Sequence, residues 1–230
     1  MSVNVYIGDL TELYNDDRKY ESYLSGLSEE RKLKTLKIKS YEGRLRSVGV
    51  GVLLDKALNE YGLCEKDMTY GYGDVGKPYF KEAPGLYFNL SHSRSKVMCV
   101  LGSIPVGCDI EYIKKANEGI AKRFFSAKDN EMLDAAKELG EKEYRESFFR
   151  LWTLKESYIK CTGQGLKCPM DSFSFIYDGE KYHIDGKEDY YFWADTEISE
   201  NSKKERYAYS LCANSKEIPD IKINKIVLGQ

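Results

Sequence analysis

The chain of 230 residues carries 35 Lys and Arg against 37 Asp and Glu and is 42% hydrophobic, which suffices to bury a core as one large domain or two small ones. Disordered and fibrous classes are thereby excluded. No run approaches the roughly 18 apolar residues of a membrane span, and Met1-Ser2-Val3-Asn4 lacks the basic and apolar regions of a signal peptide, so a cytoplasmic protein is expected.

The β-branched and aromatic run Val3-Asn4-Val5-Tyr6-Ile7 predicts a first strand. A helix is expected from Ser28 to about Ser40, with Ser28 as N-cap and Glu29 and Glu30 in the first turn, where the helix dipole favours carboxylates. A second helix follows Gly43: Leu45, Val48, Val52, Leu53, Leu54, Ala57 and Leu58 keep helical period, and Gly62 terminates it. Residues 71 to 85 read as loop. Strands are then expected at 86–90 and 97–101, joined by Ser91-His92-Ser93-Arg94-Ser95, and at 106–112 after Pro105. Helices near 117–125, 127–139 and 141–161 precede strands near 173–177, 181–184, 190–194 and 206–213. Helices followed by strands thus occur twice, which predicts an α+β fold of two halves, 1–105 and 106–230.

The six cysteines form no CxxC pair, and several sit in apolar runs such as Val97-Met98-Cys99-Val100-Leu101, so buried reduced thiols are expected rather than a disulfide framework or a nucleophile. Two histidines, His92 and His183, are too few for a convincing zinc site. Nineteen Tyr form an aromatic surplus that names no function. Gly71-Tyr72-Gly73-Asp74-Val75-Gly76 spells the dinucleotide fingerprint, but Lys77-Pro78-Tyr79 follows without helical period, so a Gly-rich turn is expected. Asn89-Leu90-Ser91 is a formal glycosylation site without secretory context.

Three segments point to chemistry. In Val106-Gly107-Cys108-Asp109-Ile110-Glu111, two carboxylates share one strand face roughly 7 Å apart. They repel unless a cation lies between them or the face is simply solvated, and oxygen donors of this kind suit magnesium. In Phe148 to Lys160 an apolar stripe of Phe148, Leu151, Trp152, Tyr158 and Ile159 is interrupted by Lys155. Glu156 and Lys160, one turn apart, form either a surface ion pair or a holder for a metal-bound pyrophosphate, and Gly163 and Gly165 end the helix. Between Arg31 and Arg46 lie seven cations against the single acid Glu42, a pattern that favours a compact phosphate ligand over nucleic acid on a chain of net charge −2.

Together these segments resemble the surfactin-type 4′-phosphopantetheinyl transferases. The resemblance runs through most of the chain and is densest in Phe88-Asn89-Leu90-Ser91-His92-Ser93, Gly107-Cys108-Asp109-Ile110-Glu111, Ala121-Lys122-Arg123-Phe124-Phe125-Ser126, Trp152-Thr153-Leu154-Lys155-Glu156-Ser157-Tyr158-Ile159-Lys160 and Gly163-Gln164-Gly165-Leu166. It implies a pseudo-two-fold pair of α+β halves acting as a monomer. The implied enzyme, of holo-[acyl-carrier-protein] synthase type, uses magnesium to move the phosphopantetheine arm of coenzyme A onto a serine of an apo acyl or peptidyl carrier domain, releasing adenosine 3′,5′-bisphosphate. Nucleic acid and membrane are not expected partners.

Residue by residue, the resemblance makes Asp109, Glu111 and Glu156 the magnesium ligands and sets Lys160 and Lys155 at the coenzyme A pyrophosphate. Ser91 and His92 meet its phosphates, Lys77 and Pro78 its adenine end, and Arg46 its 3′-phosphate. Arg31 and Lys34 join them by a looser match, and Arg44 replaces Arg46 if the helix register shifts. Cys108 stands where aliphatic residues are usual and is expected to point away from the metal. Glu156 and Lys160 are the expected catalytic pair, Glu156 accepting the serine proton and Lys160 stabilising phosphate charge. His92 has an alternative account as a cap on the 91–95 turn, and His183 is given no role. The segment Phe124 to Leu139, with Phe125, Met132 and Leu133, is either the carrier-docking surface or an ordinary packed helix. A coenzyme A- or carrier-binding paralogue without activity, and an unrelated magnesium phosphohydrolase, are the competing functions.

Overall fold

Alternation of apolar residues builds strand β1 (Ser2–Asp9), the second of four strands in the sheet that organises the first of two units in this computed structural model. Residues 1–198 and 205–228 are described. The first unit comprises Met1–Ser103 and Asp220–Gln230, the second Ile104–Pro219.

In the first unit, helices α1 (Asp17–Gly26), α2 (Glu29–Leu36) and α3 (Tyr41–Asn59) precede a two-stranded hairpin, β2 (Tyr70–Tyr72) with β3 (Pro78–Phe80), and a longer one, β4 (Tyr87–Ser93) with β5 (Lys96–Gly102). The chain crosses to the second unit and returns as β11 (Asp220–Val227), giving sheet order β11-β1-β5-β4. β11 runs parallel to β1 with Ser2 opposite Asp220, while β5 is antiparallel to both its neighbours. Helix α3 lies on this sheet and buries Leu45, Val48, Leu53, Leu54 and Leu58 against Tyr6, Phe88, Cys99 and Leu101. Ser28 caps α2 by accepting from the Arg31 amide at 3.3 Å, as its position in the sequence predicts.

The second unit is a three-stranded antiparallel sheet of order β6-β10-β9, formed by β6 (Val106–Tyr112), β9 (Tyr191–Ile198) and β10 (Arg206–Ala213). A separate hairpin pairs β7 (Phe175–Tyr177) with β8 (Tyr182–Ile184). Helices α4 (Glu118–Phe124) and α5 (Ala127–Leu139) lead into α6 (Glu141–Thr162), which packs across β6 and β10 and is flanked by α5. Gly163 ends α6 in the left-handed region at φ 68°, which its missing Cβ permits.

The α+β class agrees with the sequence reading, and four local expectations change. Residues 220–230 belong to the first unit, not to a second half running to residue 230. The stretch 71 to 85 contains most of the hairpin β2–β3, with the false fingerprint running from β2 into its turn and Gly76 at φ 85°. Ser91, His92 and Ser93 lie in β4, so the turn to β5 is only Arg94-Ser95, with Arg94 at φ 48°. His92 therefore lies in a strand, one residue short of the strand end, and not within the turn itself. Helix α1, unannounced by any expected element, is capped by Asp16. None of the six cysteines is in a disulfide, and four of them are buried. No helix among the described residues is long and apolar enough to cross a membrane.

Candidate functional site

In the first unit, α2, α3, the β2–β3 hairpin and β4 surround a cleft of about 290 Å³. Arg31 and Lys34, one turn apart on α2, reach it from one side, and Pro78 and His92 from the sheet side. Four of the residues expected at coenzyme A are thus gathered although they are spread over 62 positions of sequence. Lys34 and His92 are exposed. The Arg31 guanidinium is held from behind: Nε donates to Glu65 Oε1 at 3.3 Å, and Nε and Nη2 donate to the Tyr70 hydroxyl at 3.3 and 3.1 Å. Burial pushes the Arg31 guanidinium down, and Tyr70 and Glu65 more than offset it, so its charge is kept. Glu30 and Tyr72 face one another at the same cleft through a hydrogen bond donated by the tyrosine.

The other first-unit expectations divide. Ser91 is buried in β4, and Lys77 is half-buried just before β3; neither lines the cleft. Arg46 does not line it either, although Ser47 and Val50 of the same helix do. Arg44 donates to the carbonyls of Ile38 and Lys39 at 3.3 and 3.4 Å and lies over the Tyr41 ring, which commits it to closing the turn before α3.

In the second unit, a glycine sets the geometry. A Cβ on Gly107 would lie 2.0 Å from the Ser157 carbonyl oxygen and 2.3 Å from the Cys161 amide nitrogen, so only glycine lets β6 approach the α6 backbone this closely. Strand alternation puts Asp109 and Glu111 on the same face as Gly107, toward α6, and Cys108 on the opposite face, as expected. Asp109 is 4% exposed, and the Lys160 ammonium lies 2.6 Å from its Oδ1 and 3.2 Å from the Cys108 carbonyl oxygen. Burial pushes Lys160 down, and Asp109, with smaller contributions from Cys108 and Glu156, more than compensates, raising it. Glu156 is raised, first by burial and then by the negative Asp109, with Lys160 working in the opposite direction. Asp109, Glu156 and Lys160 therefore form one electrostatic cluster.

Among the described residues no three His, Cys, Asp or Glu side chains converge as a ready metal centre. The donor types nevertheless suit a hard cation: Asp109 of β6 and Glu156 of α6 are carboxylates that interact electrostatically with each other, and the chain already places a positive charge, the Lys160 ammonium, against Asp109.

Lys155 departs from its expectation. It is wholly buried, and its three donors are taken by Asp129 Oδ2 at 2.7 Å, the Met170 carbonyl at 2.8 Å and the Phe173 carbonyl at 2.6 Å, with the Phe173 ring centre 4.2 Å away. An ammonium saturated in this way has no donor left for a pyrophosphate. Burial lowers it. Asp129 also accepts from the Ser126 backbone and hydroxyl and from the Phe175 amide, so one carboxylate ties the start of α5 to α6 and β7. The sequence carried a signal for it, the capping box Ser126-Ala127-Lys128-Asp129. Glu65 and Tyr70, the partners of Arg31, carried none.

Residues 105–212 match the family model of the 4′-phosphopantetheinyl transferase superfamily. A Bacillus subtilis 4′-phosphopantetheinyl transferase is 36% identical over 152 residues, 66% of this chain and 66% of its own length. The 4′-phosphopantetheinyl transferase Sfp of Bacillus subtilis (strain 168) is 35% identical over 168 residues, 73% of this chain and 71% of its own length. The chain belongs to the 4′-phosphopantetheinyl transferase family. A crystal structure of a Bacillus anthracis holo-(acyl-carrier-protein) synthase in complex with CoA (3′,5′-ADP) aligns over 49% of this chain at 19% identity with a TM-score of 0.38, a partial likeness only. The family model begins at the residue before β6 and ends inside β10, so the transferase's carboxylate strand and the whole of α6 lie within it.

Proposed function

We propose that this transferase moves the 4′-phosphopantetheine arm of coenzyme A to a serine of an apo acyl or peptidyl carrier domain, as a holo-[acyl-carrier-protein] synthase does, releasing adenosine 3′,5′-bisphosphate. The observation that carries this reading, beyond family membership, is the cluster of Asp109, Glu156 and Lys160 held together by the Gly107 contact. In the proposal the protein works as a cytoplasmic monomer.

Asp109, Glu111 and Glu156 would hold a magnesium ion, which when bound supplies positive charge to phosphate oxygens. Lys160 donates to the pyrophosphate and offsets the negative charge that develops on the departing phosphate. Glu156, besides holding the metal, takes the proton of the attacking serine hydroxyl, directly or through water. In the first unit, Arg31, Lys34 and His92 offer donors to coenzyme A phosphates, Pro78 borders the adenine, and Arg46, Lys77 and Ser91 remain assigned to coenzyme A at one remove from the cleft. Carrier docking is assigned to Phe124–Leu139, where Phe124 is exposed beneath Arg123 while Phe125 and Leu133 are buried, which shifts the expected surface from Phe125 and Leu133 to Phe124 and its cation.

The test is to incubate the purified protein with magnesium, coenzyme A and an apo carrier domain and to weigh the carrier. Gain of one phosphopantetheine is the expected result. Binding of coenzyme A or carrier without a mass change would instead make the chain a non-catalytic binder.

A further inference from the structure

Glu65 is fully buried, lies outside the cleft, and accepts four hydrogen bonds. Its Oε1 accepts from the Ser28 hydroxyl at 2.8 Å, the Tyr70 hydroxyl at 2.6 Å and Arg31 Nε at 3.3 Å, and its Oε2 from the Ser28 amide at 2.8 Å. The carboxylate therefore grips the first turn of α2 twice and the Arg31 side chain once, with Tyr70 bracing both. The bonds to Ser28 hold the start of the helix, and those to Arg31 and Tyr70 complete the satisfaction of a buried carboxylate. What the additional bonds accomplish is to fix the plane of one guanidinium at the wall of a cleft.

Arg31 spends Nε and Nη2 on this frame, and among the described residues Nη1 takes none of these bonds. The Tyr70 ring adds a second constraint, with the guanidinium carbon 5.5 Å from its centre. An arginine locked by a carboxylate and a phenol gives up little further side-chain entropy when an anion arrives, so more of the contact energy appears as affinity.

We propose that Glu65 and Tyr70 are positioning residues that orient Arg31 to receive a phosphate group of coenzyme A in the cleft of the first unit. The proposal rests on the coenzyme A reading above and extends it to two residues that touch no reacting atom. Two effects of opposite sign meet at Glu65: its charge weakens the positive field of Arg31, and its geometry orients the guanidinium. Tyr70→Phe separates them, because it removes the bracing hydroxyl without changing any formal charge.

Calorimetric titration of the full chain with coenzyme A, alongside steady-state kinetics and thermal midpoints, provides the test. Arg31→Ala is expected to weaken coenzyme A binding roughly tenfold or more. Glu65→Gln is expected to weaken it about tenfold and Tyr70→Phe about threefold, raising KM for coenzyme A with kcat nearly unchanged. In an Arg31→Ala background both second substitutions should have no further effect on affinity. If Arg31→Ala leaves affinity intact, the coenzyme A reading of the cleft falls and the positioning role with it. If Arg31→Ala weakens binding but Tyr70→Phe and Glu65→Gln do not, or tighten it, the cleft reading stands and the positioning role is overturned. Where Glu65→Gln lowers stability too far to titrate, Tyr70→Phe alone decides.

Discussion

Lys160 Nζ lies 2.6 Å from Asp109 Oδ1, so the chain itself supplies a cation to this buried carboxylate of β6. If Asp109 holds magnesium as proposed, Lys160 and the metal compete for it. Replacing Lys160 with Met leaves a buried carboxylate without its charge partner. Because Lys160 is 28% exposed at the side chain, the cost is set below that of a fully buried pair, at about 2 kcal/mol. The expected outcome is a thermal midpoint lower by about 5 °C in chelator, with a larger upward shift on adding magnesium than the unsubstituted protein shows. Equal magnesium responses in the two proteins would remove the competition.

Gly107→Ala tests the contact that sets the second unit's geometry. The added methyl would meet the backbone of Ser157 and Cys161, which cannot rotate away as a side chain would. A loss of about 3 kcal/mol or more is expected, together with loss of transfer, since α6 carries both Glu156 and Lys160. Denaturant titration checks the first and the carrier mass assay the second; a stable, active Ala variant would show that β6 and α6 can separate without harm.

Lys155→Met separates a ligand contact from an internal tie. The substitution leaves Asp129 buried and charged, at a cost of about 3–5 kcal/mol. The fraction that remains folded at low temperature is expected to bind coenzyme A with unchanged affinity. Weakened affinity in a variant of undiminished stability would return Lys155 to the pyrophosphate.

Tyrosine accounts for part of the aromatic surplus, and it predicts sensitivity to alkali. Burial pushes up the phenols of Tyr6, Tyr70 and Tyr209, and Tyr190 is pushed up to about 12, first by burial and then by Tyr158. A free phenol titrates near pH 10, so between that value and the raised ones the folded protein holds protons that the unfolded chain has released. Their contribution to stability is complete below about pH 10 and is lost as pH rises toward the folded values. Spectroscopic titration should show one group of tyrosines ionising near pH 10 and another only as the protein unfolds. Ionisation of all nineteen in a single step near pH 10, with the fold intact, would contradict this.

Helix starts such as Ser28 and stops such as Gly163, the apolar face of α3, and the pairing of Asp109 with Glu111 on one strand face were legible in the chain, because each depends on neighbours within a turn or on a period of two or 3.6. The resemblance rested on the same short segments, and the family it implied is the one to which the chain belongs. The short strands at 70–72 and 78–80 left too little pattern to separate from a turn. The last strand, β11, alternates poorly, and it forms a sheet edge with five of its eight residues exposed.

The sequence by itself therefore determined which residue types were present for the chemistry and on which elements they ride. Only the tertiary structure decided their partners. Lys155 and Lys160, five positions apart on one helix, end in opposite circumstances, one saturated inside by Asp129 and two carbonyls, the other at Asp109 beside Glu156. Arg31 and Arg44 differ in the same way, one braced at a cleft by Glu65 and Tyr70 and the other spent on a turn. A long cationic side chain carries the same local signal in either place. What it does depends on which buried acceptors the fold brings within its reach, and those come from segments remote in sequence.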